Sequence, residues 1–160
     1  MGCDIHTFVE RRQPGGHWER VSVDMGRDRY ENDPFGWRSY GMFGFLAGVR
    51  NYSAVPPISA SRGLPKDTSV GVLVEWDKWG MYAHSASWLT LAELLAFDYE
   101  AEFEDRRVTR GIDGGARANP GEGTLTTFRE FLGEELFSDL GRLETLGDPK
   151  DTRIVFWFDN

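Results

Sequence analysis

The chain has one cysteine, three lysines and no apolar run approaching the roughly 20 residues that cross a bilayer. A single cysteine excludes an internal disulfide framework and cannot by itself build a thiolate zinc site. A reducing, cytoplasmic setting is the expectation that follows. The opening residues lack a basic segment leading into an apolar one. Met1-Gly2 matches the start of an acylation signal, but His6 stands where that signal needs Ser or Thr. The chain is therefore expected to be soluble and unanchored, without a membrane partner.

Motifs are missing as well. There is no Walker-type loop, no dinucleotide fingerprint, no His-Glu-x-x-His and no Gly-x-Ser-x-Gly, which removes most easily read enzyme classes. Positive charge is scarce: the formal net charge is -8. Such a balance repels long nucleic acid but leaves room for a small phosphate ligand held by a few local arginines. Of the 18 basic residues 15 are Arg, the better bidentate phosphate partner.

What is present is a globular composition of 160 residues with six Trp and eleven Phe, enough for one domain, 1–160, with its own core. Residues 3–12 alternate as a strand, 13–16 read as a turn, and 17–23 alternate again, giving a β-hairpin. Residues 24–37 read as a loop, and Tyr40 to Leu46 as a short helix capped by Gly48 and weakened by two internal glycines. Residues 49–70 hold three prolines and no period, so they read as a long loop suited to function. A short strand is expected over Val70 to Glu75. Thr90-Leu-Ala-Glu93 is a capping box opening a helix through Phe97.

Residues 100–110 read as an exposed strand, and 112–123 as a second loop. Thr127-Phe-Arg-Glu130 opens another helix, with Phe128, Leu132, Leu136, Leu140 and Leu143 on one stripe. Arg153 to Phe158 is strongly β-prone and should be a central strand. The expected class is α+β: a mostly antiparallel sheet from the N-terminal hairpin and the C-terminal strand, covered by two or three helices, with long loops.

Strand parity places Asp4, His6, Phe8 and Glu10 on one face, and Cys3, Ile5, Thr7 and Val9 on the other, core-facing one. Asp4 and His6, about 7 Å apart along the strand, suit convergence on one ion or reacting atom. Glu10 lies about 13 Å beyond His6 and drops to second rank. His84-Ser85-Ala86-Ser87-Trp88 precedes a helix. Its residues serve as caps and a staple, or they place His84 and two hydroxyls at a helix N-terminus that favours an anion. Arg50, Asn51, Arg62 and Asp67 either clamp a phosphate or form surface ion pairs.

Four segments together carry a resemblance: Met-Gly-Cys-Asp-Ile-His at the start, Phe-Leu-Ala-Gly-Val-Arg-Asn at 45–51, Arg-Gly-Leu-Pro with Asp67 after it, and His-Ser-x-Ser-Trp-Leu-Thr-Leu at 84–91. Over roughly the first hundred residues the chain resembles a family of small uncharacterised bacteriophage and prophage proteins. That resemblance implies a phage accessory, anti-defence setting in the cytoplasm of a bacterial host cell and brings no activity with it.

The reading that follows is a metal-assisted phosphoester hydrolase acting on a nucleotide-like small molecule. Asp4, His6 and His84 would hold zinc or manganese and act catalytically, while Arg50, Asn51, Arg62, Ser85, Ser87 and Trp88 would bind substrate. Its rival is a non-catalytic protein that sequesters a nucleotide-derived immune signal or inhibits a host protein, using Arg contacts and stacking by Trp37, Tyr40, Tyr52 or Trp88. A third reading is a cysteine enzyme using Cys3 and His84.

Overall fold

Alternating burial over Asp4–Arg12 makes β1, which turns back through 13–17 into β2 (Trp18–Val21). The structure is a computed structural model that describes residues 2–28, 32–108 and 116–160. Met1, the middle of the 24–37 loop and residues 109–115 of the expected strand and second loop lie outside the described residues. The remaining elements are α1 (Tyr40–Ala47), α2 (Val70–Trp79), β3 (His84–Thr90), α3 (Leu91–Ala96), β4 (Glu102–Asp105), β5 (Thr124–Thr127), α4 (Phe128–Leu132), α5 (Glu134–Glu144) and β6 (Thr152–Asp159).

The main sheet runs β2-β1-β6-β3 with every neighbour antiparallel, and β4 and β5 form a separate ribbon. The expected α+β class and the central C-terminal strand are thus both present. Ile5 faces Phe158 and His6 faces Trp157 across the β1–β6 ladder. One face carries Ile5, Val9, Ile154, Phe156 and Phe158 into the main core, where α1, α3, α4 and α5 cover it. Burial of Leu136, Leu140 and Leu143 anchors α5, each contributing about 1.5–3 kcal/mol.

The other face is covered too. There α2 lays Val72, Trp76 and Trp79 against Val155, Trp157, Phe8 and Trp88. A strand was expected over Val70 to Glu75; it is the first half of this helix, capped by the Ser69 side chain. The reason lies in the pattern: α2 is apolar on its outer side as well, which hides the 3.6-residue period. The segment before Thr90 also differs, because His84–Thr90 pairs with β6 as a strand and the helix begins only at Leu91. The capping box of Thr90 and Glu93 is present as read. The stripe from Phe128 to Leu143 is divided at Gly133 (φ 83°) into α4 and α5.

The two glycines inside α1 have steric causes. A Cβ at Gly41 would lie 2.8 Å from the Phe131 ring, and one at Gly44 would lie 2.8 Å from Asn51 Oδ1. Loss of helix propensity is accepted there in exchange for close approach.

Two carboxylates are buried inside ion pairs. Glu10 accepts from Arg153 Nε at 2.7 Å and from the Ser69 N–H, at the start of α2, at 2.7 Å. Asp139 of α5 accepts from both terminal nitrogens of Arg27 and from the Phe35 N–H, which ties the 24–37 loop to the helix layer. At the sheet edge, the Ser61 hydroxyl and Gly63 N–H both donate to the Ala86 carbonyl of β3, and Arg62 N–H donates to Ser87 Oγ. Among the described residues no helix is long and apolar enough to cross a membrane.

Candidate functional site

Asp4 and His6 share a face of β1, as parity requires, but each has its own partner. Arg38 donates to Asp4 from Nε at 2.7 Å and from Nη2 at 2.6 Å, and this fork holds the Asp4 carboxyl below the usual carboxylate range. His6 Nε2 meets Asp159 Oδ2 at 3.1 Å, and its ring packs on Trp79 with centroids 4.0 Å apart.

His84 does not come to meet them. It pairs opposite Phe158, which pairs opposite Ile5, and its ring lies on the Phe158 ring at 6.2 Å. Residues directly opposite in a ladder project to the same side, so His84 belongs to the main-core face and His6 to the α2 face. The structure therefore does not bring Asp4, His6 and His84 together as a metal triad. Among the described residues no group of three or more His, Cys, Asp and Glu is gathered in a metal-binding arrangement.

His84 is also not at a helix N-terminus. It sits where β3 bulges, beside Ser85 with φ 53°, and its Nδ1 meets Ser85 Oγ at 3.0 Å. Cys3 is fully buried and its thiol is pushed up by that burial, against the pull of Arg50. A buried, protonated thiol separated from His84 by all of β6 leaves the Cys3–His84 pairing without a reacting geometry.

The expected ligand contacts mostly serve the fold. Arg62 forks onto Glu93 at 2.9 and 2.6 Å, lies over the Trp88 ring and donates to the Trp88 carbonyl. With Ser87 it binds the 59–65 loop to β3, so these three residues hold the loop against the sheet edge. Asn51 uses both ends of its amide on Val55: Nδ2 donates to the carbonyl at 2.8 Å, and Oδ1 accepts from the N–H at 2.9 Å. Asp67 binds Arg153. Arg50 is likewise taken up by neighbours of its own. With φ 48° it donates to Tyr52 Oη and Asn160 Oδ1 and lies over the Tyr40 ring.

A cleft of about 620 Å³ opens between the start of α1, the β4–β5 ribbon and α4. Arg38, Ser39 and Tyr40 form one wall. Asp105, Arg107, Thr124 and Thr126 of the ribbon region form a second, and Glu130 and Phe131 of α4 close it, with Ser53 also on the lining. Arginines fasten the 50–55 loop to this ribbon: Arg106 N–H donates to the Ser53 carbonyl, Arg107 lies over the Tyr52 ring, and Arg117 donates to the carbonyls of Asn51 and Tyr52. In a chain of net charge -8 this is a local concentration of guanidinium groups beside aromatic rings.

The loop-rich stretch 24–70, whose 49–70 segment reads as suited to function, supplies one side of the cleft through residues 38–40 and 53. The other side comes from 105–131, whose contribution no short motif signals. No family model matches the chain, and no curated protein or solved structure does.

Proposed function

We propose that the protein is a phage-type accessory protein that binds a nucleotide-like small anion in the cleft between α1, the β4–β5 ribbon and α4, and holds it without turning it over. The composition of that cleft carries the reading. Its volume of about 620 Å³ lies within the range of small-molecule sites. Arg107 suits a phosphate, the hydroxyls of Ser39, Ser53, Thr124 and Thr126 suit its oxygens and a sugar, and Tyr40 and Phe131 offer rings for a base, while Arg38 on the same lining is forked onto Asp4.

The hydrolase reading has less support. Its three proposed metal and acid–base residues divide between two faces of the sheet, and no histidine is among the residues described as lining the cleft. Sequestration needs neither group.

The test is thermal-shift and calorimetric titration with inorganic phosphate and a panel of cyclic and linear nucleotides, in the presence and absence of zinc and manganese. The expected result is saturable binding of a nucleotide, weakened at least tenfold by Arg107→Gln and by Phe131→Ala, with the ligand recovered intact after denaturation. Binding indifferent to both substitutions, or none across the panel, sinks the proposal. Recovery of a cleaved ligand restores the metal-assisted hydrolase in its place.

A further inference from the structure

The cleft between α1, the ribbon and α4 holds a carboxylate for which a phosphate has no use. Glu130 lines it from the first turn of α4, where its N–H is taken by Thr127 Oγ1 at 3.1 Å. The Glu130 carboxylate has no hydrogen bond or ion pair among the described residues. The nearby carboxylates are engaged: Asp105 Oδ1 accepts from the Arg107 N–H at 3.0 Å, and Asp4 takes both arms of the Arg38 fork. The next residue along α4, Phe131, is held in place. Its ring meets Phe103 edge-on, with centroids 4.8 Å apart at 88°, and Gly41 passes so close that a Cβ there would lie 2.8 Å from Phe131 Cζ. A fixed ring and an unused acceptor thus stand side by side, on a different wall of the cleft from Arg107.

We propose that the ligand is a guanine nucleotide, its base lying on Phe131, its Watson–Crick edge on Glu130 and its phosphate toward Arg107; this rests on the cleft being a nucleotide site. The hydrogen-bond pattern selects the base. An ionised carboxylate only accepts, and its two oxygens match two donors side by side. Guanine alone among the common bases presents such a pair, the ring N–H beside the exocyclic amine. Adenine and cytosine each set an amine beside a bare ring nitrogen, whose lone pair would face a Glu130 oxygen. Uracil and thymine flank one N–H with two carbonyls. Each mismatch leaves a repelled or unpaired polar group, which is how a polar pocket rejects the wrong ligand. Consecutive residues are about 3.8 Å apart at Cα, so one base can touch both side chains.

The test is calorimetric titration of the full chain with the monophosphates of guanosine, inosine, adenosine and uridine, in magnesium and in EDTA. GMP should bind at least tenfold more tightly than AMP or UMP, with IMP, which lacks only the exocyclic amine, between them. Glu130→Gln should invert the order in favour of AMP, because a Gln amide donates to a bare ring nitrogen while accepting from the amine beside it. The Glu130 carboxylate has no bond in the fold to lose, so the variant should melt within a few degrees of the parent. Equal binding of all four that Arg107→Gln still weakens leaves the cleft a nucleotide site and overturns the guanine assignment. So does a preference that Glu130→Gln leaves unmoved. Binding that vanishes in EDTA and ignores the base overturns it too, and gives Glu130 to a divalent ion. No binding of any nucleotide overturns the nucleotide site and the guanine assignment together.

Discussion

Replacing Glu10 by alanine removes the anion from an interior in which Glu10 is 0% and Arg153 3% exposed. Two donors lose their acceptor: Arg153 Nε and the Ser69 N–H at the start of α2. Asp67 keeps a 2.8 Å contact with Arg153, but its carboxylate is 64% exposed and compensates only in part. Breaking a buried pair from one side costs about 3–5 kcal/mol. Against a total stability of about 5–15 kcal/mol this is a large fraction, and with a urea m-value of about 1–3 kcal/mol/M it lowers the midpoint by roughly 2 M. The Arg153 guanidinium also lies 4.0 Å from the centroid of the Trp18 ring, so its methylenes and plane are embedded in apolar surface. A Glu10→Leu/Arg153→Met double variant should therefore recover most of the loss, to within about 1–2 kcal/mol of the parent, because neither charge is then stranded. Urea unfolding of the parent, Glu10→Leu, Arg153→Met and the double variant closes the thermodynamic cycle, with Glu10→Ala measured beside it. A Glu10→Ala cost under about 1 kcal/mol, or a double variant as unstable as the sum of the singles, refutes the assignment of this pair as a mutually dependent interior bridge.

Glu93 offers a pH test. The Arg62 fork, assisted by the Thr90 cap, holds its carboxyl down to about 2 from an ordinary value of 4.5. A depressed folded value means its contribution to stability is complete above about pH 4.5 and is lost as the pH falls toward about 2. Carbon-detected NMR titration should show that low midpoint, and Arg62→Met should move it upward, leaving only the cap's share. In α1, Gly44→Ala should destabilise by about 1–2 kcal/mol despite better helix propensity, since the new methyl meets Asn51 and Val55 below 3 Å. Gly141→Ala in α5, with nothing within 4 Å, should stabilise by about 0.5–1 kcal/mol, and thermal melts of the two variants separate propensity from crowding.

Signals whose physics is local are legible in the sequence. The alternation of β1, the β-branched and aromatic run of β6 and the Thr90–Glu93 box each act within a few residues, and each is present. The α2 helix was hidden because burying one side and leaving the other apolar erases the contrast on which a period depends. Ser87 and Trp88 suggested a cap and staple, yet the pairing with Phe156 and Val155 across β3–β6 makes them strand residues, and such register is a long-range property. Glu10 stands too far from His6 along β1 for strand spacing to signal its role. Its partner, Arg153, is directly opposite it in a strand 143 residues away, where spacing along one strand carries no information. The cleft was half visible for the same reason: one wall belongs to the loop-rich stretch, and the other is assembled by the fold.

The loop that donates to Ala86 has a further effect on how this sheet behaves in company. β3 is an outer strand, and Ser61 and Gly63 already occupy the carbonyl that an incoming strand would use first. The opposite margin, β2, is four residues long and exposes Glu19 and Arg20. Neither border is a good template for adding another chain's strand, so the protein can carry a greasy helix on its surface with less risk of growing into a continuous β-assembly.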